Sequence, residues 1–157
     1  MILPTAASWN VRATIQGETR EHEAGHAVAA HLLGFEVGKI VLDRWADYGE
    51  FGSVKFRWTG RSDDEELAFA RAIVAATGPL ATDAWDLDRS RQDRGKVEEV
   101  RWPTWTSAAW EFVVLHKTEL LVRSESFRRL HRRIVAALEE VGEVGSLSGD
   151  ALDRVLA

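Results

Sequence analysis

The residues best equipped for chemistry in this chain are His22-Glu23-Ala24-Gly25-His26. They form the pattern H-E-x-x-H inside a stretch that reads as helix from Thr14 to Leu33, without proline and rich in Ala and Leu. An α-helix turns about 100° per residue, so His22 and His26 stand roughly 40° apart on one face, one turn removed. Two imidazoles so placed reach a single metal ion at about 2.0–2.1 Å. Glu23 lies about 100° from His22 and about 60° from His26 on the same helix. It flanks such an ion without having to bind it. It can take a proton from a metal-bound water, whose pKa falls to about 7 on zinc. This pattern points to metal-assisted hydrolysis.

A catalytic zinc takes three protein ligands and keeps one position open. His31 is a poor third ligand: nine positions after His22, it points about 180° away around the helix. His116 and His131 fall on later helices and remain candidates. So do Asp83, Asp86, Asp88 and Asp93 in a polar stretch further on, since a carboxylate oxygen at about 2.0–2.2 Å is an acceptable zinc ligand.

The elements that must position these groups are partly legible. Gly34 is a natural stop for the first helix. Gly25 costs a helix about 1 kcal/mol relative to Ala, so another element is expected to pack closely there. Val37–Leu42 and Gly52–Trp58 read as strands, with Val54, Phe56 and Trp58 alternating with polar residues and a turn at Asp47–Glu50. Their spacing permits antiparallel pairing. Ser62-Asp63-Asp64-Glu65 reads as a capping box with Ser62 as N-cap. The helix that follows, Leu67 to Ala76, is apolar nearly all round and expected to be buried. Gly78-Pro79 is expected to kink or end it. Further helices are predicted from Thr104 to about Val122 and from Ser126 to Val141. The second carries a stripe of Phe127, Leu130, Ile134, Leu138 and Val141. Ser148 is expected to cap a last helix through Leu156. The fold class is α+β, mostly helical, with a small hairpin or sheet and a C-terminal helical bundle, in a single domain over residues 1–157.

Composition removes whole classes of function. The 157 residues contain no cysteine, which excludes disulfides, thiolate metal sites and a cysteine nucleophile. A net charge of −5 gives no global field toward nucleic acid or anionic lipid. No apolar run approaches the roughly 20 residues of a membrane span, and the first residues do not read as a signal peptide. A cytoplasmic protein with no nucleic-acid or membrane partner is expected. No phosphate-binding glycine loop and no G-x-S-x-G elbow occurs. Trp102, Trp105 and Trp110 read first as core or interface anchors. Arg128, Arg129, Arg132 and Arg133 read as a solvated basic face.

The run His22 to Gly34 resembles the peptidase domain of the FtsH-type ATP-dependent zinc metalloproteases. The likeness continues in order: Lys39-Ile40-Val41-Leu42 with Gly52-Ser53-Val54 is similar to that domain's strand pair, and Ile73 to Ala81 to its Ala/Gly-rich buried helix. Phe127 to Leu156 is similar to its closing helices. Most of the chain is covered, although only the first motif is specific. Thr82 stands where that family commonly has Glu. The resemblance implies a peptidase domain without the ATPase module and one zinc per chain. It also implies a third ligand at the start of a helix after the buried one. Asp93, ahead of Lys96-Val97-Glu98-Glu99-Val100, holds the matching place, with Asp88 as second choice. A carboxylate there is favoured by the helix dipole. Glu23 would be the general base, and the substrate a peptide or unfolded protein. Ser53, Val54 and Lys55 would accept it in extended form by β-addition. A non-catalytic interaction module, with a structural or vestigial zinc site and the Trp-rich segment as contact surface, is the alternative. Neither homo-oligomerisation nor a separate ATPase partner is legible in the sequence.

Overall fold

The computed structural model describes residues 6–42, 52–60, 64–142 and 144–157. The expected turn at Asp47–Glu50 and the Ser62 N-cap lie outside them. The chain runs α1 (Ala6–Leu32), β1 (Phe35–Leu42), β2 (Gly52–Trp58), α2 (Glu65–Ala81), a 3-10 turn (Asp88–Ser90) and α3 (Arg91–Glu99). It continues through α4 (Ser107–Arg123), α5 (Glu125–Val141), β3 (Gly145–Ser148) and α6 (Gly149–Leu156). This is the mostly helical α+β class with a small antiparallel sheet. Among the described residues no helix is long and apolar enough to cross a membrane.

α1 begins eight positions before the expected Thr14, since no proline between residues 6 and 13 interrupts it. It ends as expected at Gly34, whose φ of 94° suits glycine. β1 and β2 then pair antiparallel with Phe35 opposite Trp58 and Leu42 opposite Gly52, a register shift falling at Val37–Lys39. Phe56 and Trp58 pack edge-on to Phe35 at 5.1 and 5.0 Å. Phe56 stays 39% exposed because β2 is an edge strand. β3, unanticipated from sequence, pairs with the other side of β1, giving the order β2-β1-β3.

α2 is capped by Asp64 instead of Ser62. The Asp64 carboxylate accepts hydrogen bonds from the Glu66 and Leu67 amides at 3.1 and 3.4 Å. Pro79 does not end the helix, which continues to Ala81. Pro79 lacks the amide that would reach back one turn, the helix ends two residues later, and Thr82 donates its hydroxyl to the Gly78 and Pro79 carbonyls, both at 3.3 Å. α4 starts at Ser107 instead of Thr104, behind Thr106, whose hydroxyl accepts from the Ala109 amide. α5 starts one residue before the expected Ser126, behind Ser124, which caps the Phe127 amide at 3.2 Å.

Two apolar cores flank α2. The first joins Ala24, Ala27 and Val28 of α1 to Ile40 of β1, Leu67, Ala70 and Val74 of α2, and the α5 stripe Phe127, Leu130, Ile134 and Leu138. The second joins Ala72, Ile73, Ala75 and Ala76 of α2 to Val97, Trp110 and Val114. α1 crosses α2 at Gly25, as the glycine in that helix led us to expect. A Cβ on Gly25 would lie 3.1 Å from the Thr77 carbonyl oxygen and 3.2 Å from Ala81 Cβ.

Candidate metal centre

The helical repeat of α1 places His22 and His26 side by side, their rings edge to face at 4.7 Å and their Nε2 atoms 3.0 Å apart. His26 is buried, and its Nδ1 donates to the Val74 carbonyl of α2 at 2.7 Å. That bond fixes which nitrogen carries the proton and turns Nε2 toward His22, as an outer hydrogen bond commonly does for a ligating imidazole. Val74 could not have been singled out from the sequence, because its contribution is a backbone oxygen.

The third donor comes from the connection after α2. Asp83, at φ 51°, reverses the chain, and the Ala84 amide donates back to the Pro79 carbonyl at 2.8 Å. The fully buried Ser90 donates its hydroxyl to the Ala84 carbonyl at 2.7 Å. Arg94 donates to the carbonyls of Trp85 and Leu87 at 2.5 and 2.6 Å. Arg89 and Glu18 form an ion pair at 3.0 Å, one turn before Asp93 and His22 respectively. These contacts aim the first turn of α3 at α1. Asp93, in that turn, brings Oδ2 to 2.8 Å from His22 Nε2 and 3.4 Å from His26 Nε2.

Among the described residues, His22, His26 and Asp93 form the group whose donor atoms all converge within 4.8 Å. Two imidazole nitrogens and a carboxylate oxygen suit a borderline divalent cation. Donors in a tetrahedral zinc site stand about 3.3 Å apart, given bonds of roughly 2.0–2.2 Å. The observed separations of 2.8–3.4 Å span that value, so the three residues fit a single ion. Burial acts to lower the His26 pKa, but the Asp93 carboxylate, with Glu23 and the Val74 carbonyl, outweighs it and raises the pKa to about 9. Burial acts to raise that of Asp93, but hydrogen bonds from His22 and His26 hold its carboxyl far below the usual carboxylate range.

Glu23 is 7% exposed and lies against Gly52, the first residue of β2. Ser53 and Val54 are half-buried and Lys55 is exposed, all three paired to β1 along one side only. The other candidate ligands, all among the described residues, lie elsewhere. His31 and His116 are exposed, and His131 donates from Nε2 to the Glu21 carbonyl at 2.9 Å. Asp83, Asp86 and Asp88 face solvent. Trp110 is fully buried and donates to the Val97 carbonyl at 2.8 Å, while Trp105 donates to Glu65 at 3.0 Å. The N–H groups of these two indoles are thus hydrogen-bonded within the protein. No protein-family model matches this sequence, and no curated protein matches it.

Proposed function

We propose that the protein is a zinc-dependent peptidase acting on extended or unfolded polypeptide. The observation that carries this reading is the meeting of His22, His26 and Asp93 from two separate helices beside the buried carboxylate of Glu23. The resemblance of residues 22–34 to FtsH-type peptidase domains is a second support. His22, His26 and Asp93 would hold the ion. Bound zinc supplies an acidified water and a Lewis acid for the scissile carbonyl. Glu23, one residue from His22 and outside the ligand set, would accept the water's proton and pass it to the departing amine. A base that is not a ligand is needed for hydrolysis and not for a purely structural ion. The open side of β2, from Ser53 to Lys55, would hold the substrate backbone by strand addition, with the start of that strand beside Glu23. We place this activity in the cytoplasm.

The test is metal content and casein hydrolysis in protein purified without metal-affinity resin. Near one zinc per chain and chelator-sensitive cleavage of unfolded casein are expected. Asp93→Ala should strip the metal and Asp88→Ala should leave it. A wild-type chain that takes up no zinc on dialysis sinks the reading. A zinc-loaded chain with no cleavage of any unfolded substrate returns the site to a structural role.

A further inference from the structure

Gly78 sits inside α2, buried, with ordinary helical backbone. No positive φ calls for glycine here; Pro79 disfavours a Cβ on the helical residue before it, which is a local reason for glycine, although glycine weakens a helix interior by roughly 0.5–1 kcal/mol relative to Ala. Helix crossing does not fully account for it either, since α1 already brings its own Gly25 to the contact. The atoms facing Gly78 give another reason. A Cβ there would stand 2.8 Å from His22 Nε2 and 2.6 Å from His26 Cε1, and closer still to His26 Nε2. It would press on both nitrogens that converge with Asp93. His26 cannot swing aside without giving up its bond to the Val74 carbonyl.

We propose that Gly78 is a positioning residue of the metal centre, its missing side chain keeping open the space into which His22 and His26 direct their donor nitrogens. Gly52 is its counterpart on the neighbouring face of α1, where Glu23 lies. A Cβ there would meet Glu23 Cγ and the Val41 carbonyl, both at 2.8 Å, and neither histidine. One glycine thus clears the donors and the other seats the carboxylate. The inference rests on the metal-binding half of the proposed function and is independent of hydrolysis.

The experiment compares Gly78→Ala, Gly52→Ala and wild type by zinc content after dialysis against a zinc buffer. Thermal melts of the chelator-treated proteins accompany it. Gly78→Ala should lower zinc affinity about 100-fold or more, at or beyond the upper end of losses from outer-shell changes. Gly52→Ala should keep its zinc. A double-mutant cycle with His26→Ala reads the contact without metal. Gly78→Ala should lower the melting midpoint in the parent. In the His26→Ala background it should lower it less, because the opposing ring is gone while the cost of a Cβ before Pro79 is the same in both backgrounds. If the single variant fails to fold, His26→Ala should restore folding. Wild-type zinc affinity in Gly78→Ala overturns the inference, as does a cycle with no coupling or no rescue. A wild-type chain that binds no zinc overturns the metal reading as well, which separates the two failures.

Discussion

α2 presents two faces of opposite character. Toward α1 it offers Thr77, Gly78 and Ala81, small groups that let Gly25 approach and bring the Val74 carbonyl within hydrogen-bond distance of an imidazole. Toward α4 it offers Phe69, stacked on Trp110 at 4.3 Å, with Trp105 edge-on at 5.4 Å. The first face sets distances between polar atoms and adjoins the core shared with α1, β1 and α5. The second buries large rings, which dominate core energetics. The candidate metal centre and the aromatic cluster therefore lie on different sides of one helix, and substitutions on the two sides should separate them.

The sharpest separation is expected from Glu23→Gln. Turnover should fall about 10²–10⁴-fold, the usual contribution of a general base, with zinc content and melting midpoint close to wild type. Unchanged turnover in this variant would remove Glu23 from the mechanism. Trp110→Ala should do the reverse. It deletes a fully buried ring and its hydrogen bond to Val97, at a cost of about 3–5 kcal/mol in denaturant unfolding. Its zinc content per folded chain, measured well below its lowered midpoint, should match wild type. A loss of metal there would show that the aromatic core sets the site's geometry after all. The smallest effect belongs to Asp64→Ala, at the start of the helix both faces share. Losing the cap on the Glu66 and Leu67 amides should cost about 1 kcal/mol and leave metal affinity intact. A wild-type unfolding curve for this variant would be evidence that another group caps α2.

What the sequence discloses follows the range of the interaction. His22 and His26 are legible because four residues on a helix fix their relation locally. The α5 stripe is legible for the same reason. Asp93 is different: composition and helix geometry leave four aspartates and two histidines open as third ligand. Only a family resemblance pointed to the one that the structure brings against His22. Its placement depends on Ser90, Arg94 and Asp83 bonding to main-chain carbonyls, which leave no pattern in residue type. β3 was illegible because four residues, Gly145–Ser148, become a strand only through pairing with residues more than a hundred positions earlier. Pro79 marks the end of α2 to within two residues, because its ring and missing amide act against continuing the helix far beyond it.

The position of β3 has one more consequence. By pairing with Lys39 to Leu42 it occupies the side of β1 opposite β2. Among the described residues, the sheet therefore has a long border along the seven residues of β2 and a short one along the four residues of β3. An open border is a hazard as well as a docking place, since two of them would let chains add to one another without limit. A four-residue border is a poor template for a second chain, and short edge strands are one way native sheets limit edge-to-edge addition.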